Sequence, residues 1–125
     1  MDEKKTPGEG KHITWTVTNG VAIVRLRYAH MIRFEAFAEM EAELNAALDG
    51  ATANRIIINF DVTEHFTSRM LGILAALHKK TRQTNGQMAI CRLRPEPMRA
   101  FKLCRMDTLI AYYSSEEEAR AALGA

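Results

Sequence analysis

Three consecutive isoleucines, Ile56, Ile57 and Ile58, constrain the fold of this chain more than any other feature. Successive side chains of a β-strand point to opposite faces of the sheet. Three adjacent branched apolar residues therefore need apolar cover on both faces, which is typical of a central strand in a parallel sheet. We expect this strand, which continues to Phe60, to be buried at the middle of the fold.

The residues before the isoleucines predict a hairpin followed by a helix. Apolar residues alternate with threonines over 13–18, the pattern of a half-buried strand. Asn19-Gly20 suits a two-residue hairpin turn, so a strand over 21–26 should return beside the first. Apolar residues then recur every three or four positions from 34 to 48, which predicts an amphipathic helix that ends near Gly50.

The residues after the isoleucines alternate between helical and strand patterns. The predicted elements are a helix from Thr67-Ser68 to Asn85-Gly86, a strand over 87–93, a short helix from Pro95 or Pro97, a strand over 109–113, and a helix opened by the capping-box pattern of Ser115 and Glu118. After the opening hairpin, this alternation predicts a single α/β domain. Its sheet should be mixed, mostly parallel and covered by helices.

Length and composition favour one domain with a polar extension. A chain of 125 residues suits a single core, which we assign to residues 12–125. Residues 1–11 are mostly polar and bury too little apolar surface to offset the entropy of ordering, so we expect a flexible tail. Cys91 and Cys104 lie in apolar surroundings and are expected to be buried, reduced thiols.

Charge and hydropathy limit the classes of partner. No apolar stretch approaches the roughly 20 residues that cross a bilayer, and the first residues lack the apolar centre of a signal peptide. We therefore expect a cytoplasmic protein without membrane insertion. The formal net charge of +2 is too small to predict a nucleic-acid partner. Acidic residues interrupt the one basic concentration, which we interpret as a solvated face: Arg92, Arg94, Arg99, Lys102 and Arg105.

The titratable residues form no recognisable catalytic or metal-binding pattern. The four histidines lie in different elements or loops, without the close spacing of zinc ligands: His12, His30, His65 and His78. The sequence has neither a glycine-rich phosphate loop nor a GxSxG motif. Glu116, Glu117 and Glu118 suit the first turn of a solvated helix. We expect no enzymatic activity, no metal and no cofactor.

The most informative segment is residues 56–77, IIINFDVTEHFTSRMLGILAAL, where the central strand runs through a short loop into a helix. Thr67 or Ser68 can cap that helix, which by itself accounts for hydroxyl residues there. At this point the chain resembles the STAS family, the anti-sigma-factor antagonists of bacteria. The family's mark is an Asp-Ser-Ser-Gly-Leu-Gly type of helix start, and the corresponding residues here are Thr67-Ser68-Arg69-Met70-Leu71-Gly72. The resemblance covers nearly the whole chain from His12.

The resemblance implies a phosphorylation switch. In the family, the serine that corresponds to Ser68 is phosphorylated by a partner anti-sigma factor that is also a kinase, of the GHKL type. The unphosphorylated form captures this partner and frees the sigma factor. A phosphate adds about −1.5 to −2 charges to a contact surface, so one modification can reverse binding. The chain departs from the motif at Thr67, Arg69 and Met70, which replace aspartate, serine and glycine.

Two hypotheses follow from the resemblance. The first is a phosphorylation-regulated anti-sigma-factor antagonist whose docking surface extends from Glu64 to Leu74. The residues expected to contact the partner are Glu64, His65, Thr67, Ser68, Arg69, Met70 and Ile73. The second is a scaffold or assembly subunit of the same fold that is never phosphorylated, with Met70 and Ile73 as exposed apolar anchors. A small enzyme or ligand carrier would need convergent polar groups that the sequence does not provide. No oligomeric state is predicted.

Overall fold

The three isoleucines lie on the fourth strand of a six-stranded sheet. The computed structural model describes residues 8–27, 34–49 and 55–124. Within these ranges the strands are β1 (Gly8–Glu9), β2 (Ile13–Thr18), β3 (Val21–Leu26), β4 (Arg55–Asn59), β5 (Gln87–Cys91) and β6 (Ala111–Tyr113). The helices are α1 (Phe34–Asp49), α2 (Ser68–Gln83), α3 (Pro95–Leu103) and α4 (Glu116–Leu123), with a 3-10 turn at Met106–Thr108. None of these helices combines the length and apolar character needed to cross a membrane.

The strands lie in the sheet in the order in which they occur along the chain. β1, β2 and β3 pair antiparallel, whereas β3, β4, β5 and β6 pair in parallel. Parallel neighbours cannot be joined by a tight turn, so each of these connections contains a helix. The α/β class and the mixed, mostly parallel sheet are therefore confirmed.

Strand β4 is buried on both faces. Ile56, Ile57, Ile58 and Phe60 have no exposed surface. Ile56 and Ile58 belong to the larger core, which the sheet forms with α1 and α2. Ile57 belongs to a smaller core on the opposite face, which α4 closes. The prediction of a central, doubly covered strand is confirmed.

The opening hairpin has the expected two-residue turn. Thr18 pairs with Val21, and Asn19 and Gly20 between them have φ angles of 53° and 81°. Two positive φ angles give the turn a twist that matches the right-handed twist of the flanking strands. Asparagine and glycine adopt this conformation more readily than other residues, so the local sequence alone fixes the register of β2 against β3.

The residues before β2 are attached to the domain. In the segment expected to be a tail, Gly8 pairs with Trp15. The carboxylate of Glu43 on α1 accepts hydrogen bonds from the backbone N–H groups of Lys11 and His12, both at 3.0 Å. The described sheet therefore includes two residues of this segment, Gly8 and Glu9. Residues 1–7 of the expected tail lie outside the described residues.

The segment between α3 and β6 differs from the expectation. The carbonyl of Met106 accepts hydrogen bonds from the N–H groups of Leu109 and Ile110, both at 2.9 Å, so the last strand begins only at Ala111. Cys104, expected to be buried, is exposed. It ends α3 immediately before Arg105, whose φ of 59° turns the chain into the 3-10 segment.

The two cysteines should differ in reactivity. Burial raises the pKa of the Cys91 thiol to about 12, and the Glu116 carboxylate adds to the rise. Since the thiolate is the reactive form, on the order of one Cys91 thiol in ten thousand is reactive at pH 8. Brief treatment of the folded protein with iodoacetamide should therefore alkylate Cys104 alone, as read by peptide mass spectrometry. Equal labelling of both thiols without denaturant would contradict the buried position of Cys91.

Candidate functional site

Residues 60–67 connect β4 to α2 at the carboxyl edge of the parallel strands. We call them the Ser68 loop because they lead directly to Ser68, the first residue of α2. Ligand sites in open α/β sheets commonly lie at this edge. Asp61 anchors the beginning of the loop. Its carboxylate accepts hydrogen bonds from Arg92 Nε and Nη2 at 3.2 and 3.1 Å, and its carbonyl accepts one from Arg94 Nε at 2.6 Å. The loop is thus tied to the segment that follows β5.

Apolar side chains hold the inner side of the Ser68 loop. The rings of Phe60 and Phe66 meet edge to face, with their centroids 4.9 Å apart. Val62 and Phe66 pack against the larger core, and Thr63, which follows Val62, is buried. The N–H of Thr63 donates to the carbonyl of Phe60 at 3.0 Å, which closes a tight turn. These contacts fix the path of the loop from both of its ends.

Thr67 and Ser68 divide two roles at the start of α2. Thr67 is the N-cap, and its hydroxyl accepts a hydrogen bond from the N–H of Met70 at 3.2 Å. Ser68 is the first helical residue and is exposed. Because Thr67 satisfies the capping requirement, the Ser68 hydroxyl is left on the surface at the positive end of the helix dipole.

Two of the residues expected to contact a partner are in the core. Met70 and Ile73 are only 5% and 4% exposed and belong to the larger core. The expectation that they are exposed apolar anchors is wrong. Since α2 begins at Ser68, a period of 3.6 residues turns positions 70 and 73 towards the sheet, whereas Ser68 and Gly72 face solvent.

The remaining expected contact residues form the outer side of the loop. Glu64, His65 and Thr67 are exposed like Ser68, and Arg69 is half-buried. His65 Nδ1 lies 3.2 Å from Glu96 Oε1, so the loop also contacts the first turn of α3. The structure therefore brings five of the seven expected residues together: Glu64, His65, Thr67, Ser68 and Arg69.

The anchoring role of Asp61 was not predicted. Arg92 and Arg94 were interpreted as part of a solvated basic face, yet both bind Asp61. The pairing follows from the strand order, because Asp61 and Arg92 each closely follow a strand, β4 and β5 are parallel neighbours, and their carboxyl ends meet at one edge of the sheet. Among the described residues, no group of three or more His, Cys, Asp or Glu side chains is arranged to hold a metal ion.

Known proteins are similar to this chain in sequence or in fold. BtrV, a candidate anti-sigma factor antagonist of Bordetella bronchiseptica, is 26% identical over 84 residues, covering 67% of this chain and 72% of BtrV. The anti-sigma-factor antagonist (STAS) domain protein of Planctomyces limnophilus superposes with a TM-score of 0.80 at 21% identity, covering 90% of this chain and 98% of that one.

A third similar structure is that of the Bacillus cell fate determinant SpoIIAA in its phosphorylated form. It superposes with a TM-score of 0.63 at 18% identity, covering 94% of this chain and 97% of that one. The family model of the STAS domain matches residues 12–119, which include β2 to β6 and the Ser68 loop. On this match, and on the fold described above, the chain belongs to the STAS domain family.

Proposed function

We propose that this protein is an anti-sigma-factor antagonist that binds its partner through the Ser68 loop and the first turns of α2. The partner is an anti-sigma factor of the GHKL kinase type, which phosphorylates Ser68 and is thereby released. The function is binding and not catalysis by this chain, and the encounter takes place in the cytoplasm. The observation that carries the proposal is the exposed Ser68 hydroxyl, which the helix does not need as a cap.

The position of Ser68 suits a switch that leaves the fold unchanged. An anion at a helix N-terminus interacts favourably with the helix dipole and the free N–H groups. The first turn of α2 contains no acidic residue that a phosphate would repel. A phosphate on Ser68 is therefore compatible with the helix. It would instead change the binding of a partner that packs against this surface. The phosphorylated form of SpoIIAA and the role named for BtrV support the same reading.

The structure accommodates two of the three departures from the family motif. Threonine and aspartate both serve as N-caps, and Thr67 makes the capping bond. Met70 fills space in the core and leaves the outer surface unchanged. Arg69 is the remaining departure, and its guanidinium can pair with a phosphate or with an acidic group of the partner.

The alternative of an unphosphorylated scaffold loses its main support. That hypothesis used Met70 and Ile73 as exposed apolar anchors, and both residues are buried. The outer surface at the start of α2 is instead polar or small, with Ser68 and Gly72 exposed. A phosphate on Ser68 would therefore change the charge of a surface that has little apolar character.

A negative charge at position 68 should weaken partner binding without unfolding the domain. In Ser68→Glu the helix dipole should offset the added charge by about 0.3–1 kcal/mol, so thermal unfolding should barely change. The affinity for the purified anti-sigma factor should fall at least about tenfold, equivalent to about 1.4 kcal/mol. Ser68→Ala should keep the affinity and abolish phosphorylation by the partner with ATP. Calorimetry and phosphopeptide mass spectrometry would measure these effects.

A matched control places the same charge elsewhere on α2. Gln83→Glu adds one carboxylate at the last residue of the helix, where the side chain is exposed. Fifteen residues at 1.5 Å each separate it from Ser68 by roughly 22 Å. This variant should bind like the wild type. Equal affinity of the wild type and Ser68→Glu for the anti-sigma factor would contradict the phosphorylation switch and favour the scaffold hypothesis.

A second variant tests how closely the partner approaches α2. Gly72 is exposed within the helix, and an added Cβ would meet no atom of the domain within 4 Å. Gly72→Ala should therefore raise the free energy of unfolding by about 0.5–1 kcal/mol in denaturant titrations. The same methyl group should lower partner affinity if the partner backbone packs against this turn. Increased stability with unchanged affinity would place the partner away from Gly72.

A further inference from the structure

Glu116 makes contacts that a solvated helix terminus does not need. It is the first residue of α4, and its side chain is only 17% exposed. Oε1 accepts a hydrogen bond from Arg25 Nη2 at 2.6 Å, and Oε2 accepts one from Asn59 Nδ2 at 3.1 Å. Glu117 and Glu118, by contrast, are exposed. The expectation that all three carboxylates form a solvated first turn is therefore wrong for Glu116.

Asn59 connects Glu116 to the Ser68 loop. It is the last residue of β4 and is 8% exposed. Its Nδ2 donates to Glu116, and its Oδ1 accepts a hydrogen bond from the N–H of Asp61 at 2.8 Å. A carboxylate only accepts and a backbone N–H only donates, so the two neighbours together permit a single orientation of the amide. Glu116 therefore holds the Asn59 amide in the orientation that presents its oxygen to Asp61.

Asp61 is the junction between this pair and the loop. Its N–H binds Asn59, while its carboxylate and carbonyl bind Arg92 and Arg94. The hydrogen bonds thus form a continuous path from α4, across the end of β4, to the first residue after Phe60. Displacement of Asp61 would move the whole beginning of the Ser68 loop.

Strand β4 holds α4 at both ends. At its first residue, the Arg55 guanidinium donates to the carbonyl of Leu123, in the last turn of α4. At its last residue, Asn59 binds Glu116 in the first turn. The lengths match, because four strand steps span roughly 13 Å and seven helical steps span roughly 10 Å. The position of α4 on one face of the sheet is therefore linked, through the hydrogen bonds of Asn59, to the loop at the sheet edge.

We propose that Glu116 is a positioning residue for the Ser68 loop. By fixing the Asn59 amide it sets the place of Asp61, and through Asp61 the geometry of the docking surface. The consequence for docking rests on the proposed function, whereas the consequence for the loop does not. The affinity of a surface at one edge of the sheet thus depends on a helix outside the proposed docking surface.

Hydrogen exchange in the free protein tests the effect on the loop. Glu116→Ala removes both acceptors, so the amide of Asp61 should exchange about tenfold or more faster by NMR, reflecting local opening. The amide of Ile57, in the middle of β4, should keep its exchange rate. Glu117→Ala is the matched control, because it removes an exposed carboxylate from the same turn. Faster exchange at Ile57 and Asp61 alike would show a merely global loss of stability and overturn the proposal.

A double variant that exchanges the donor at position 59 with the acceptor at position 116 should restore the hydrogen bond between them. Asn59→Asp alone places two carboxylates together and should also release Asp61. Combined with Glu116→Gln, it again gives one donor and one acceptor between the two side chains, with an oxygen left for the N–H of Asp61. The double variant should restore slow exchange at Asp61. Exchange as fast as in the single variants would contradict the positioning role.

Partner binding separates this inference from the proposed function. Glu116→Ala should lower affinity for the purified anti-sigma factor about three- to tenfold, a loss typical of one hydrogen bond, and the double variant should recover it. Glu117→Ala should bind like the wild type. If the wild type does not bind the anti-sigma factor, the proposed function fails while the exchange rates still decide the loop claim. Normal binding by Glu116→Ala would overturn the docking claim alone.

Discussion

The structure depends on the burial of β4 from both sides. Three adjacent isoleucines cannot be hidden by helices on one face, so α1 and α2 cover one side and α4 must cover the other. Parallel neighbours on either side of β4 then require helical crossovers. These crossovers bring the carboxyl ends of β4 and β5 together at one edge. The Ser68 loop leaves the sheet at that edge, and its location follows from the burial of the strand.

The loop separates the requirements of folding from those of recognition. Its inward residues, Phe60 and Phe66 among them, pack in the core, and Asp61 binds the arginines after β5. Its outward residues contribute little to the core and present polar groups around Ser68. Because Thr67 already caps α2, the chemistry of position 68 can change without loss of the helix. Such a division suits a surface whose charge is meant to vary.

Features governed by local sequence were predictable, and features governed by distant contacts were not. The Asn19-Gly20 turn, the buried β4 and the start of α2 at Ser68 depend on turn chemistry, side-chain alternation and capping. The burial of Met70 depends on which face of α2 packs against the sheet, and that packing involves residues distant along the chain. The bonds from Asp61 to Arg92 and from Glu116 to Asn59 join residues 31 and 57 positions apart. Such pairs become visible only when the strand order is known.

The strand order also has a consequence for synthesis of the chain. Since each strand pairs with the one before it, the sheet can grow by one edge at a time as residues leave the ribosome. Among the described elements, α4 is the helix that covers the face containing Ile57 and Ala89, and it emerges after the six described strands. A nearly complete sheet with a bare apolar face is a species prone to aggregation. Premature termination before residue 116 would leave the protein in that state, so α4, the last helix along the described part of the chain, decides whether the product folds or aggregates.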